Sequence, residues 1–207
     1  MPSKGEKFML RDQKACLEHL RVRYGNKNQI IVAIEELNEL IEVVSKESTF
    51  TQAQPKVLDE VADAYIVLEH VKAVYGIEFE PEAQKDLKHN IYKELSSARL
   101  LEIVWSLARL SGLLAKAIRY EEGDSKLAPI SARLCAMVVG IYSDIASISF
   151  RYSLKPIWIE ARIESKVERI RIWLEEGSTF GQTNEIRTVR TAQEDMKWGD
   201  ELENKGL

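Results

Sequence analysis

Four acidic residues occur as two pairs, each with a spacing of three, on two neighbouring stretches of the chain. Glu36 and Glu39 lie within IEELNEL, and Glu60 and Asp63 lie within LDEVADAY. Residues three apart are about 5–6 Å from one another on the surface of a helix. If the two stretches are facing helices, four carboxylates meet, and such an all-oxygen ligand set suits Mg²⁺ or Mn²⁺ rather than zinc.

The first acidic pair lies in a partly apolar strip, although a third glutamate is close by. On a helical wheel Glu36 and Glu39 share a strip with Val32 and Val43, whereas Glu35 lies away from the apolar stripe. A solvated acidic face does not usually carry valines one turn above and below its acids. The wheel therefore separates Glu36 and Glu39, as candidate ligands, from Glu35, which faces water.

The second acidic pair repeats this arrangement. Glu60 and Asp63 project into a sector that is otherwise apolar, while Asp59 lies outside it on the side of His70. Burying carboxylates without a counter-charge is costly, and no lysine or arginine occupies the matching positions of these two stretches. A divalent cation is therefore favoured as the counter-charge, although a single E-x-x-E is more often a solvated helix face.

The elements that carry these acids are helices. Apolar residues recur at helical spacing along almost the whole chain, and strict alternation is essentially absent. We therefore predict an all-α protein whose polar tail, residues 178–207, holds at most a short helix around Met196 and Trp198. The predicted helices lie near 8–23, 28–47, 54–75, 81–95, 97–121, 127–152 and 156–176.

Composition excludes several classes of protein. The formal net charge of −4 and the pI near 5.6 argue against a nucleic-acid-binding surface. The N-terminus has no apolar signal region, and no uninterrupted apolar run approaches the roughly 18 residues of a membrane span. Cys16 and Cys135 form no motif and are expected to be reduced. We therefore expect a cytoplasmic protein that binds neither nucleic acid nor membrane.

The chain also contains a weak internal repeat. It predicts two helical units, 1–95 and 96–177, related by duplication. The alternative is a plain helical bundle whose helices resemble each other because they share one period. The aligned segments are 33–47 with 106–120, 57–78 with 133–154, and 81–95 with 156–174.

The repeat has a chemical consequence, because the second half lacks the acids. Arg109 and Gly112 align with Glu36 and Glu39, and no choice of register restores an acidic quartet in the second half. Only the first half is therefore expected to bind metal.

The acidic pattern resembles the signature of a known superfamily. E-x-x-E, a spacer of about twenty residues and then E-x-x-D on the next helix is similar to the signature of the all-α nucleoside triphosphate pyrophosphatases, which include MazG-like proteins and dimeric dUTPases. The segment YGNKNQIIVAIEELNELIEVV, residues 24–44, is similar to small, often phage-borne MazG-like proteins, and LDEVADAYIVLEHV resembles their second acidic helix. The resemblance covers roughly residues 20–95.

This resemblance implies an activity and a metal. It implies that Glu36, Glu39, Glu60 and Asp63 hold Mg²⁺, with Mn²⁺ as a substitute, and that the protein hydrolyses nucleoside triphosphates to the monophosphate and pyrophosphate. Bound metal neutralises phosphate charge and lowers the pKa of a bound water. Glu39 or the neighbouring Glu35 is the candidate to accept the proton of that water.

Triphosphate binding also requires positive side chains. Two lysines of the segment 81–95 resemble the basic pair that the superfamily often carries on its last helix, and ARIESKVERIRIWL in the second half matches that pattern better. For each lysine, a solvated surface charge is the more common explanation. The candidates are Lys46, Lys85, Lys88, Arg109, Lys166 and Arg169.

The resemblance further implies an arrangement of the two halves. Proteins of this superfamily are helical dimers, so 96–177 is expected to pack on 1–95 as a tandem MazG-like four-helix-type bundle, a pseudo-dimer within one chain. A homodimer of pseudo-dimers is one assembly compatible with this arrangement. Two alternatives stay open: a relative specific for dUTP or phosphoribosyl-ATP, and a non-catalytic helical interaction protein that retained the scaffold.

Overall fold

The structure, a computed structural model, describes residues 11–46, 50–78, 97–120, 124–176 and 190–205. These residues form seven α-helices and no strand, so the prediction of an all-α protein is confirmed. The helices are α1 Arg11–Tyr24, α2 Asn26–Lys46, α3 Phe50–Tyr75, α4 Ser97–Ala117, α5 Leu127–Arg151, α6 Pro156–Glu176 and α7 Ala192–Asn204. The helix predicted at 81–95 lies outside the described residues.

Glycine and proline set the boundaries of several helices. Gly25 between α1 and α2 has φ of 86°, and Gly76 after α3 has φ of 60°. Both lie in the left-handed region, which glycine adopts without the steric cost of a Cβ atom. Pro156 opens α6, where its missing N–H costs nothing because first-turn amides have no partner within the helix. These are breaks that the sequence predicts.

The central element is α3, which packs against α2, α5, α6 and α7. The sequence predicts burial of this helix on several sides because it is apolar nearly all round, and this prediction is confirmed. Its buried apolar side chains are Val57, Leu58, Val61, Ala62, Ala64, Tyr65, Ile66, Val67, Leu68 and Val71.

One continuous cluster of buried side chains runs through both halves of the chain. Helix α2 packs against α4, and α3 packs against α5. Leu37 of α2 and Leu107 of α4 are fully buried in this cluster. Within the part of the chain that the structure describes, residues from 1–95 and from 96–177 therefore share one core.

The C-terminal helix docks on the chain itself. A capping box closes its first turn at Thr191, and α7 packs against α6 and α3. A Cβ atom at Gly199 would stand 2.8 Å from Trp158 Cδ1, so this close approach requires glycine. The short helix predicted around Met196 and Trp198 is present, and it forms part of the packed structure.

One helix among the described residues, α5, is long and apolar enough to span a membrane by length and composition alone. Buried core helices meet the same criteria. Leu134, Val138 and Ile141 of α5 are buried in the shared core. The position of α5 in the core accounts for its composition.

Candidate metal and phosphate site

Three acidic residues of α2 and α3 form a tight group, which we call the carboxylate cluster. Glu36, Glu60 and Asp63 each offer one carboxylate oxygen, and these oxygens lie within 4.8 Å of one another. Helices α2 and α3 are antiparallel neighbours, since α3 begins four residues after α2 ends. Glu39 lines the same cavity, but it is exposed and lies outside the cluster. The structure thus brings three of the four predicted ligands together.

Burial and mutual repulsion disfavour ionisation of two members of the carboxylate cluster, Glu36 and Glu60. Burial raises the pKa of Glu36 to about 8, and the charges of Asp63 and Glu39 add to this effect. Burial likewise raises the pKa of Glu60 to about 7, again with contributions from Asp63 and Glu39. Within the described residues, Glu60 Oε2 is buried without a hydrogen-bond partner. A divalent cation fits this donor set, because it supplies the missing partner and favours the ionised carboxylates.

The carboxylate cluster lines a cavity of about 330 Å³ between α1, α2, α3 and α6. This volume is at the lower end of the range for ligand pockets, about 300–1,000 Å³. Along α3 the lining residues run from Asp59 to His70, a rise of about 16 Å at 1.5 Å per residue. The cavity is therefore long enough to offer different chemistry at its two ends.

The two ends of the cavity differ in polarity. The acids occupy the end formed by the start of α3, while Ile66 and Val67 of α3 and Val32 of α2 line the cavity further along. On α6, Lys166 lies at the acidic end and Trp173 follows two turns later. An anionic group with a bound cation suits the first end, and a flat apolar group suits the second.

Helix α6, from the second half of the chain, supplies the basic wall. Lys166 Nζ lies 2.5 Å from Asp59 Oδ1 and also contacts Asp63. Arg169 lines the cavity, and its Nε is buried without a hydrogen-bond partner in the described part of the chain. The absence of a basic residue at the matching positions of α2 and α3 suggested that no side chain neutralises the acids. That suggestion was wrong, because Lys166 reaches Asp63 from a helix distant in sequence.

Other predicted site residues lie away from the cavity. Glu35 of α2 and Arg109 of α4 are exposed and do not line it. Lys46 is also exposed, and it pairs with a glutamate one turn earlier on its own helix. Lys85 and Lys88 lie outside the described residues. Of the six predicted basic residues, Lys166 and Arg169 are those that the structure places at the cavity.

Sequence reasoning missed Asp59 and Arg162. Asp59 lines the same cavity as the carboxylate cluster, and Arg162 Nε and Nη2 donate to its Oδ1 at 2.9 and 2.8 Å. Burial acts to raise the pKa of Asp59, but Lys166 and Arg162 together hold it below its usual range. The helical wheel had placed Asp59 outside the sector of Glu60 and Asp63, and this prediction was wrong. Asp59 and Asp63 are four residues apart and so share a helix face, and both line the cavity.

Two uncharged polar residues, Gln29 and His70, line the end of the cavity away from the acids. Gln29 is buried and lines the cavity. His70 is also buried, and burial together with the charge of Arg21 lowers its pKa to about 4, so the ring is neutral near pH 7. Arg21 Nη1 lies 3.5 Å from His70 Nδ1, which makes Nδ1 the acceptor and places the ring proton on Nε2. This end therefore combines apolar walls with uncharged polar groups.

No model of a known protein family, no curated protein and no solved structure matches the chain. The likeness to MazG-like proteins therefore stays a prediction carried by the acidic motif. Function has to be inferred from the carboxylate cluster, the basic wall of α6 and the polarity of the cavity.

Proposed function

We propose that the protein is an Mg²⁺-dependent nucleoside triphosphate pyrophosphohydrolase, which converts a (deoxy)nucleoside triphosphate and water to the monophosphate and pyrophosphate. The observation that carries this proposal is the carboxylate cluster, three oxygens within 4.8 Å of one another, in a cavity that Lys166 and Arg169 also line. Carboxylates for a cation, together with basic side chains for phosphate, are the recurring parts of phosphoryl-transfer sites.

The acidic residues have separate proposed roles. Glu36, Glu60 and Asp63 hold Mg²⁺. When bound, Mg²⁺ neutralises phosphate charge and lowers the pKa of a water molecule. Glu39 lines the cavity outside the carboxylate cluster, which leaves its oxygens available to accept a proton from the attacking water. Glu35 lies outside the cavity, which favours Glu39 of the two predicted bases.

The basic wall is the proposed phosphate subsite. Arg169 brings a buried Nε that has no partner within the described residues, and a phosphate oxygen is the acceptor that a guanidinium prefers. Lys166 places a second positive charge beside Asp63. Together they offset the charge that develops on the phosphate oxygens during attack, where preorganised donors contribute most.

The polarity of the cavity orients the nucleotide. With the phosphates at the carboxylate cluster, the base extends along α3 towards Ile66, Val67 and Trp173. The flat Trp173 ring offers a stacking surface. Gln29 and neutral His70 supply uncharged donors and acceptors for the base edge. A cavity with a charged end for phosphates and an apolar end for a base favours a nucleotide over a simple polyphosphate.

We also propose that the two halves form a tandem MazG-like pseudo-dimer. The segments that align in sequence are those that pack together, α2 against α4 and α3 against α5. A duplicated unit related by a two-fold axis makes such isologous contacts. In this arrangement α6 of the second half contributes to the acidic site of the first half. Each chain is then a one-site enzyme, because the second half lacks the acids.

Pyrophosphate release from a panel of (deoxy)nucleoside triphosphates with Mg²⁺ tests the proposed activity. We expect Asp63→Asn and Glu60→Gln each to lower kcat/KM by about a hundredfold or more, since each removes charge aimed at the reacting centre. The matched control is Glu42→Gln, an exposed glutamate of α2 outside the cavity, which should retain full activity.

Two outcomes would reject the activity. The first is the absence of pyrophosphate release from every nucleotide tested. The second is hydrolysis that survives both Asp63→Asn and Glu60→Gln. Mg²⁺ binding without hydrolysis would instead favour the non-catalytic interaction protein.

A further inference from the structure

A pair of buried charges lies behind the basic wall. The side chain of Asp195 on α7 is 0% exposed, and that of Arg162 on α6 is 5% exposed. Arg162 Nη1 lies 3.2 Å from Asp195 Oδ2 and donates to the Arg190 carbonyl at 2.5 Å. Arg190 Nε lies 2.9 Å from the other Asp195 oxygen. A buried ion pair often stabilises the fold less than an apolar pair of similar size. Stability alone therefore does not account for this pair.

The remainder of the Arg162 guanidinium is directed at the site. Its Nε and Nη2 both donate to Asp59 Oδ1, and Lys166 Nζ lies 2.5 Å from that same oxygen. Asp59 is 37% exposed and lines the cavity beside Glu60 and Asp63. Two side-chain cations thus converge on one oxygen of a carboxylate that adjoins the carboxylate cluster.

Helix α7 also makes contacts away from this buried pair. At the other end of the interface, Lys155 Nζ and Trp158 Nε1 both donate to Asp200 Oδ1 at 2.8 Å. Gly199 packs directly on Trp158 in the same region. The interface between α6 and α7 therefore has a second ion pair that contacts no residue of the cavity, and this pair serves as an internal comparison.

We propose that Arg162 is a built-in cation that takes the place of a second metal ion at Asp59, and that Asp195 is the positioning residue that holds Arg162 there. The inference rests on the proposed metal site. A guanidinium fixed on both sides keeps Asp59 out of the coordination of the metal. The chain then binds one divalent cation, at the carboxylate cluster, with Lys166 shared between Asp59 and Asp63 beside it.

Mn²⁺ binding to the full-length protein, followed by the electron paramagnetic resonance signal of free Mn²⁺, tests the inference without using activity. The variant is Arg162→Gln combined with Asp195→Asn, which neutralises both members of the buried pair so that neither is left as an unpaired charge. The control is Lys155→Gln combined with Asp200→Asn, which breaks the other ion pair between the same two helices.

The variant should bind Mn²⁺ about fivefold tighter or more, or should take up a second ion per chain, because the positive charge that contacts Asp59 has gone. Asp195, the negative charge removed with it, does not line the cavity. The control should match the wild type in affinity and stoichiometry. If the double variant fails to fold, as judged by circular dichroism, Arg162→Lys replaces it. A lysine keeps the charge but cannot hold Asp59 and Asp195 together, so the expected result is a second Mn²⁺ ion per chain at the released Asp59, and an unchanged stoichiometry would overturn the inference.

The outcomes separate this inference from the proposed function. Wild-type binding of one Mn²⁺ that is unchanged in the folded variant would overturn the role of Arg162 and leave the metal site standing. Binding in the variant alone would contradict the proposed enzyme and also the inference, which requires one ion in the wild type. Binding in neither protein would overturn both.

Discussion

Protons bind the carboxylate cluster more tightly in the folded chain than in the unfolded chain, so the stability of the metal-free protein should fall as the pH rises. A metal ion competes with these protons for the same oxygens. Burial raises the pKa of Glu36 to about 8 and that of Glu60 to about 7, from an ordinary value of 4.5. Each group binds its proton more tightly in the folded chain than in the unfolded chain. The stabilisation is therefore complete below the unfolded pKa and is lost as the pH rises through the folded pKa.

His70 acts in the opposite direction and fixes the useful pH window. Its pKa is lowered to about 4, so the folded state gains stability as the pH rises towards the unfolded value of about 6.5. Above about pH 6.5 that contribution is nearly constant. The fall that Glu36 and Glu60 cause is therefore best measured between about pH 6.5 and pH 8.

The magnitude follows from the pKa values. Each pH unit over which the folded chain retains one extra proton changes the free energy of unfolding by about 1.4 kcal/mol. Across this window the contribution of Glu36 to the free energy of unfolding falls by about 1 to 2 kcal/mol, and that of Glu60 falls by about 1 kcal/mol. Since the two groups are coupled and partly solvated, we expect a total on the order of 2 kcal/mol, or a melting temperature lower by about 4–8 °C for a chain of this size.

Chemical denaturation followed by circular dichroism, with EDTA present, measures this fall directly. Adding Mg²⁺ at the upper pH should restore the loss, since a ligand at about 100 times its Kd stabilises by about 2.7 kcal/mol. The effect of Mg²⁺ should be smaller at the lower pH, where protons occupy its ligands. A Glu36→Gln variant should show a flatter pH profile. A profile in EDTA that stays level or rises, or an Mg²⁺ effect independent of pH, would refute this account.

Three further predictions concern single side chains. Glu60→Gln should raise the melting temperature of the metal-free protein at about pH 8 by a few degrees, because it removes an ionised carboxylate with an unpartnered buried oxygen. The same variant should weaken the Mg²⁺-dependent shift in melting temperature, and differential scanning fluorimetry measures both effects. Lys166→Met should raise the KM for nucleotide about tenfold and make folding more dependent on Mg²⁺, since Asp63 loses its contact with a side-chain cation; steady-state kinetics with and without added metal checks both effects. Trp173→Ala should raise the KM for nucleotide by about tenfold, the loss of one stacking surface, while Mn²⁺ affinity stays unchanged in a direct binding titration; a change in Mn²⁺ affinity would place Trp173 elsewhere.

Local patterns in the sequence predicted the helices of the described residues and brought together Glu36, Glu60 and Asp63. They also included Glu39, which lies outside the carboxylate cluster. Glu35 and Glu36 are adjacent in the sequence, and a rotation of about 100° per residue is enough to place Glu36 in the cavity and leave Glu35 exposed. The apolar circumference of α3 predicts a central helix for the same reason. These predictions hold because they depend on helical geometry within one segment.

Contacts between distant segments could not be predicted in this way. Lys166 reaches Asp63 across 103 residues of sequence. Arg162 lies between Asp59 and Asp195, and the polar composition of 178–207 gives no sign that Asp195 is buried. Nothing in the period of α6 shows which of its faces meets α3. The pairing between α3 and α6 is a result of tertiary packing, and the counter-charges of the site follow from that packing.

The distribution of charge also bears on the proposed duplication, in which the second half has lost the acids. A carboxylate cluster is tolerated only where counter-charges face it, and α6 directs Arg162, Lys166 and Arg169 towards the first half. In the second half, Arg109 on α4 is exposed at the position that aligns with Glu36. A second carboxylate cluster there would need its own counter-charges from another helix. Under the proposed duplication, loss of those acids removes charges that would need compensation, while α6 still faces the carboxylate cluster of the first half.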